Sequence, residues 1–335
     1  MNPISLTKSI LLTIDVEDWF QVENFKQYIP FSSWPNRDLR VEKNTHRILD
    51  LLDSTLCGQP ASRNTSSELQ NSQCRSPNPS NSRNPSDQSN PKHSPRATFF
   101  VLGWVAERLP HLVREIRARG HEVASHGYHH RLYRKETGGD IKGDLIDSKR
   151  LIEDVTGVPV YGFRAPSFSI NHDALKVIED CGYLYDSSFN SFGMNKRHGH
   201  IELGRHRRKG IAFQVSHTLY ELPISNLRIG TYVVPWGGGG YFRLIPPALF
   251  KIGVQSIIKR EKAYLFYVHP WEMDPEQPRV NEASTLYRFR HYFNLDKTGS
   301  RLSSFIEAFK ECHFVTCHEY LQVTPSQVST MDYQQ

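Results

Sequence analysis

Five times along this 335-residue chain a short apolar run ends on a side chain able to do chemistry. Residues 10–14 run into Asp15, 121–125 into His126, 161–163 into Arg164, 183–185 into Asp186 and 263–268 into His269. Short apolar runs bounded by polar residues read as buried strands. Stretches of helical spacing lie between them, so strands and helices alternate. That alternation predicts a parallel sheet covered by helices. In α/β barrels the functional side chains collect at the carboxyl ends of the strands, which is where these five residues fall.

The helical stretches carry their own signals. Residues 41–54 put Ile48, Leu49, Leu51 and Leu52 on one side. Residues 110–119 open on Pro110 and stop at Gly120, an arrangement typical of helix ends. Residues 140–156 offer Ile141, Leu145, Ile146 and Ile152 for burial. Residues 171–181 begin at Asn171, a good N-cap, and end before Gly182. Further helices are expected over 247–259 and 302–312, and further strands over 97–102, 219–224 and 314–316.

Mean hydropathy is −0.53, and one segment causes much of it. Residues 57–96 are mostly Ser, Asn, Pro, Gln and Arg, with Leu69 the single large aliphatic. Such a stretch buries too little apolar surface to offset its ordering entropy, so a disordered insertion is expected there. The net charge of +6 includes a basic cluster, Arg205-His206-Arg207-Arg208-Lys209, read as a solvated loop or a contact for an anionic glycan. No nucleic-acid module accompanies it, so no nucleic-acid partner is expected. Five irregularly spaced cysteines do not suggest a disulfide framework. No run approaches the ~18 apolar residues of a membrane span, and no leader pattern is seen. The expectation is a reduced, cytoplasmic chain without a transmembrane segment, its oligomeric state open.

The polar residues at the strand ends form a chemical set. His126 and His130 are four apart, so one turn of helix would put both imidazoles on one side. Two imidazoles and one carboxylate suit zinc and leave positions for water and substrate. The acids lie in Asp15-Val16-Glu17-Asp18, where one could hold metal while another takes a proton from water. Arg164 could orient a carboxylate, and the backbone N–H of Ser167 could stabilise an oxyanion. His269, beside Pro270-Trp271-Glu272, is a candidate general acid that Glu272 could orient. Gly237 to Gly240, with Trp236, Tyr241 and Arg243 around them, lack the spacing of a phosphate loop. A flexible, aromatic-flanked loop of this kind suits a sugar.

Several longer strings recur in order: Asp-Val-Glu-Asp-Trp-Phe at 15–20, Ala-Thr-Phe-Phe-Val-Leu-Gly at 97–103 and Glu-Val-Ala-Ser-His-Gly-Tyr-His-His at 122–130. Phe-Arg-Ala-Pro-Ser-Phe-Ser follows at 163–169, then Tyr-Asp-Ser-Ser at 185–188, Gly-Gly-Gly-Tyr-Phe-Arg at 238–243 and His-Pro-Trp-Glu at 269–272. Together they resemble the polysaccharide deacetylase family (NodB-homology, carbohydrate esterase family four), and in particular its branch linked to bacterial exopolysaccharide biosynthesis loci. The resemblance implies a distorted (β/α) barrel and metal-dependent removal of N-acetyl groups from amino sugars of a polysaccharide or its precursor. It implies a single deacetylase unit over 1–325, with 1–56 and 97–195 as the NodB-homology core and 196–325 as the family's C-terminal part. Residues 57–96 are then an insertion and 326–335 a disordered tail.

By the same resemblance Asp15 is the catalytic base, Arg164 its orienting arginine and His269 the general acid. His126 and His130 are the metal histidines, with zinc the expected ion. Ser167, Trp236, Gly239, Tyr241, Arg243 and Trp271 fall on substrate-binding motifs, the substrate being an N-acetylated glycan. Two departures stand out. Val16 follows Asp15 where the family's best-known form has adjacent aspartates, so the third metal ligand moves to Glu17, with Asp18 as the alternative. The family's Asp-containing motif that supplies the acid histidine's partner is missing, so that partner is open. The competing readings are hydrolysis of another C–N amide bond on the same barrel, and a glycan-binding protein without catalysis.

Overall fold

The computed structural model describes residues 8–54, 94–133, 138–192 and 199–322. Most of the Ser/Asn/Pro-rich stretch, its cysteines Cys57 and Cys74, and the tail expected at 326–335 lie outside the described residues. The chain begins with β1 (Ser9–Val16), α1 (Val41–Ser54), β2 (Ala97–Val101), α2 (Gly103–Arg108), α3 (Pro110–Ala118), β3 (Glu122–Ser125) and α4 (Gly138–Thr156). It continues with β4 (Gly162–Phe163), α5 (His172–Asp180), β5 (Tyr185–Asp186), β6 (Arg207–Lys209), β7 (Ala212–Gln214) and β8 (Tyr220–Glu221). Then come β9 (Asn226–Ile229), β10 (Tyr232–Pro235), α6 (Gly239–Leu244), α7 (Pro247–Glu261), β11 (Ala263–Val268), α8 (Thr285–Tyr292), α9 (Thr298–Ala308), β12 (His313–Phe314) and α10 (Cys317–Leu321).

One sheet organises the fold, in the order β11-β1-β2-β3-β4-β5-β8-β7-β6, with β12 beside the start of β1. Pairing is parallel from β11 through β8 and antiparallel at β7 and β6. The sheet curls back on itself. Ile224, just past β8, donates to the Phe189 carbonyl at 2.9 Å, and Ser225 donates to Leu265 of β11 at 3.3 Å. Single hydrogen bonds close the ring where a regular barrel would have a continuous ladder. The distorted α/β barrel expected from the motifs is the fold observed. The outer edge strand β6 exposes Arg207, Arg208 and Lys209, charges that discourage further strand pairing.

The period of two in β1 decides what enters the barrel. Ile10, Leu12 and Ile14 pack in the large core beneath the helices, whereas Leu11 packs with Phe100, Ala124 and Leu265 in a second, inner core. Thr13 and Asp15 share the parity of Leu11 and so face the inside. β2 and β11 sort in the same way, Phe99 and Phe266 outward, Phe100 and Leu265 inward.

Element positions follow the sequence closely where local signals are strong. Asn171 caps α5 by accepting from Ala174 N at 2.8 Å, and α3 opens on Pro110. Three strands are shorter than their apolar runs, because β5, β8 and β12 each pair over two residues before the curl takes the chain off the sheet. The last long helix lies earlier than the expected 302–312, over Thr298–Ala308. Gly239 does not sit in an open loop but starts α6. Residues 126–130 are not helical. No helix among the described residues is long and apolar enough to cross a membrane.

Candidate active site

The carboxyl ends of β1, β3, β4 and β11 open into a cleft lined by Asp15, Glu17, His126, His130, Ser167, Tyr267, His269 and Trp271, among others. Asp15 is the inward residue near the end of β1 and is 2% exposed. Its Oδ1 accepts from Arg164 Nη1 at 2.6 Å, and its Oδ2 lies 4.0 Å from His269 Nε2. Arg164 is wholly buried, with its guanidinium over the Phe100 ring. It donates to Thr13 Oγ1 (2.8 Å), Ser187 O (3.0 Å) and Ser187 Oγ (2.9 Å). A guanidinium with so many partners cannot rotate, so it holds Asp15 in one orientation.

Glu17, His126 and His130 offer ligand atoms that all lie within 4.8 Å of one another, and all three residues are buried. The His126 Nδ1–H is used on the Arg164 carbonyl at 2.7 Å, which leaves Nε2 as the outward lone pair. That is the usual outer partner of a metal histidine. Burial holds the His126 pKa down at about 4, so the ring is neutral and fit to ligate. For Glu17, burial alone would raise the pKa, but His130 beside it at 2.8 Å and the imidazoles of His269 and His126 together hold it down at about 2. A buried carboxylate and two buried imidazoles with free lone pairs fit a divalent cation, and zinc accepts this donor set.

The two histidines meet without a helix. Gly127 and His130 both take positive φ, at 73° and 54°, and bend the segment around the ligand space. Asp144 of α4 fixes this loop by accepting from Tyr128 N, His129 N, His129 Nδ1 and Tyr133 Oη at 2.5–3.1 Å. A Cβ on Gly127 would stand 2.6 Å from the Tyr133 hydroxyl and 2.7 Å from the Asp144 carboxylate. The helical turn expected from the four-residue spacing is therefore replaced by a carboxylate-anchored loop. Asp144 was not among the residues singled out from the sequence, since nothing near it marks its partner sixteen residues away.

Asp18 is turned away from the ligand space. Its carboxylate accepts from Trp19 N, Arg40 N and Val41 N at 2.7–2.8 Å and caps the start of α1. Geometry thus favours Glu17 over Asp18 as the third ligand.

His269 Nε2 lies 3.4 Å from Glu17 Oε1, and its Nδ1 lies 2.8 Å from Glu272 Oε1. Burial would lower the His269 pKa, but the bond to Glu272 and the charges of Glu17, Glu272 and Asp15 push it up to about 9. Glu272 is itself held by Arg243 Nε at 2.6 Å. Arg243 also donates to the carbonyls of His291 (2.9 Å) and Phe293 (2.6 Å), so this chain of contacts is locked to the C-terminal end of α8. The carboxylate that holds the His269 ring is thus Glu272, three residues on.

Of the residues assigned to substrate, Trp236 and Gly239 lie off the cleft wall, whereas Arg243 and Trp271 line it but are tied up in other contacts. Trp236 is buried, stacked on Phe250, and its Nε1 donates to the Phe250 carbonyl, so its ring is core and not a sugar platform. Gly239 is buried beneath Glu272, and a Cβ there would come within 2.1 Å of Glu272 Oε1. Arg243 acts behind His269 through Glu272. Trp271 is 6% exposed, sandwiched between the His269 and His291 rings, with Nε1 3.3 Å from Glu17 Oε1. Its contacts steady Glu17 and His269. Ser167 and Tyr241 do face cavities. Ser167 and Phe168 take consecutive positive φ values of 54° and 57°, a strained turn of the kind found at functional sites.

Comparison with known proteins bears on the family and the fold. Residues 91–185 match the family model for polysaccharide deacetylase, and residues 187–322 match a domain of unknown function (DUF3473). A peptidoglycan-N-acetylglucosamine deacetylase of Bacillus cereus is 29% identical over 92 residues, 28% of this chain and 43% of that protein. The chain thus spans less than half the length of the curated relatives it matches. Among solved structures, a candidate polysaccharide deacetylase from Mycobacterium smegmatis aligns over 100% of this chain and 94% of its own, with a TM-score of 0.54 at 17% identity. Puue allantoinase aligns over 95% and 91%, with a TM-score of 0.55 at 12% identity. These two likenesses concern the fold alone.

Proposed function

Since residues 91–185 carry a polysaccharide deacetylase domain, we propose that this chain hydrolyses N-acetyl groups on amino sugars of a polysaccharide or its precursor, releasing acetate. The observation that carries the reading is the convergence of Asp15, Glu17, His126, His130, Arg164 and His269 on one cleft from elements spread over 254 positions of the chain. Glu17, His126 and His130 would hold a divalent cation, with zinc the expected one. Such an ion, when bound, supplies a Lewis acid and a water of lowered pKa.

The chain's own residues supply the rest. Arg164 fixes one oxygen of Asp15, which leaves the other free to take a proton from the attacking water. Water adds to the acetamide carbonyl, and the Ser167 amide, at the cleft wall, would donate to the oxygen that becomes negative. His269, held by Glu272 at Nδ1, gives the Nε2 proton to the departing nitrogen as the C–N bond breaks. The products are acetate and a free amino sugar.

Acetate release from N-acetylglucosamine oligomers, by chelated protein with and without added zinc, tests the reading. Release restored by zinc is expected. Release from small cyclic amides but from no oligomer would transfer the scissile bond to another amide class. Tight glycan binding with no hydrolysis under any metal would overturn catalysis.

A further inference from the structure

A second cavity of about 320 Å³ opens beside the catalytic cleft. That volume lies within the ~300–1,000 Å³ range of small-ligand sites. The two spaces share Tyr267 and Arg290 in their walls, so they adjoin. Tyr267 stands edge-on to His269, with ring centroids 5.6 Å apart. A molecule in the second cavity therefore lies next to whatever His269 serves.

The walls combine ring faces with hydrogen-bond donors. Tyr241 and Phe192 meet edge to face at 6.2 Å. Asn190 and Asn226 are 7% and 8% exposed. Asn226 Nδ2 donates to Asn190 Oδ1 at 2.9 Å, and Asn226 Oδ1 accepts from Trp236 N at 3.3 Å. Asn190 Oδ1 also accepts from Phe192 N at 3.1 Å. These bonds fix the Asn190 amide and leave its Nδ2 without an acceptor among the described residues, although the side chain is more than nine-tenths buried. A donor fixed at the wall of a polar cavity is available to a ligand oxygen.

Charge narrows the occupant. No Asp or Glu lines this cavity, and Arg290 does. Arg290 is exposed on α8 and has no ion-pair partner among the described residues. Its backbone is anchored, since its carbonyl accepts from Arg243 Nη2 at 3.3 Å. Ring faces, the Asn190 amide donor and a guanidinium without an ion-pair partner among the described residues suit a sugar that carries a negative group.

We propose that this cavity is a subsite for the sugar next to the one deacetylated, and that Arg290 with Asn190 selects a sugar bearing an anionic substituent. The proposal rests on the deacetylase reading only for the word "next"; binding of the anionic sugar stands apart from hydrolysis.

The test compares three hexasaccharides on the full chain: neutral N-acetylglucosamine oligomer, an oligomer alternating N-acetylglucosamine with glucuronic acid, and an N-acetylglucosamine oligomer carrying 6-phosphates. Binding is read by titration calorimetry and turnover by acetate release. At least one anionic oligomer is expected to bind about tenfold or more tighter than the neutral one, an advantage that shrinks with salt. Whichever oligomer is favoured identifies a carboxylate or a phosphate as the group read. Arg290→Gln should cut the anionic-to-neutral ratio about tenfold through KM and Kd, and Arg290→Lys should restore part of it. Equal binding of all three oligomers, or an Arg290→Gln ratio matching the wild type, overturns the subsite. Anionic preference in binding with no acetate released from any oligomer upholds the subsite and counts against the deacetylase reading instead.

Discussion

The carboxylate of Glu272 holds the imidazole of His269 across one turn of chain, Oε1 to Nδ1 at 2.8 Å, and also accepts from the His269 backbone N–H at 3.1 Å. The pair is thus a reciprocal cap as well as a relay: the backbone N–H of Glu272 folds back on His269 while its side chain fixes the ring. Arg243 completes it from behind. Glu272→Gln keeps the shape and removes the charge, so it should lower kcat by about tenfold or more with KM little changed. His269→Ala should cost more, within the ~10²–10⁴ range of general acid–base catalysis. Equal acetate-release rates for Glu272→Gln and wild type would remove Glu272 from the relay.

Asp15→Asn should abolish turnover yet retain metal, because Asp15 faces Arg164 and His269 and is not in the ligand trio. Metal content by mass spectrometry and acetate release on the same preparation check this. A variant that turns over normally, or one that loses its metal, would contradict the separation of roles.

Glu17 and Asp18 are adjacent, but their variants should behave oppositely. Glu17→Gln should lower metal occupancy with folding little affected. Asp18→Ala removes the acceptor of two backbone N–H groups at the start of α1 and of Trp19 N, and should destabilise by about 1–2 kcal/mol at full metal occupancy. Denaturant midpoints and metal stoichiometry separate the two. The reverse pattern would exchange their roles.

Gly239→Ala places a Cβ within 2.1 Å of Glu272 Oε1, a buried carboxylate with no room to retreat. It should cut activity by a factor close to that of Glu272→Gln and leave α6 helical by circular dichroism. Wild-type activity in Gly239→Ala would show that Glu272 can move without consequence.

His121 predicts a pH effect on stability away from the cleft. It is 3% exposed, neither ring nitrogen has a hydrogen-bond partner, and burial holds its pKa down at about 4. The unfolded chain takes up this proton near pH 6.5, while the folded chain resists until about pH 4. Its contribution is therefore complete above pH 6.5 and is lost as pH falls toward 4, by up to about 3 kcal/mol. His121→Leu should flatten that part of the stability–pH curve measured by urea unfolding. An unchanged slope would mean that His121 takes up its proton without unfolding.

Local signals in the sequence fixed the elements well. Pro110, Asn171 and the continuous apolar run at 97–101 act through a few neighbours, so α3, α5 and β2 stand where those residues put them. The parity of β1 likewise determined that Asp15 would share a face with Leu11 and Thr13. Which residues meet across the sheet was not readable in the same way. Asp144 reaches the histidine loop from the next helix, and Arg243 and Glu272 meet across 29 positions, because the curl of the sheet brings their elements together. Trp236 read as a sugar platform from its glycine neighbours, yet α7 covers it with Phe250. By itself, then, the sequence determined the elements, the strand ends and the kinds of chemistry gathered there, since those depend on composition and period within a few residues. The tertiary structure alone decided that Glu17 and not Asp18 joins the histidines, that Arg243 backs Glu272, and that Asn190 and Arg290 share a second cavity. Those outcomes depend on contacts between distant segments, which packing sets and local sequence does not encode.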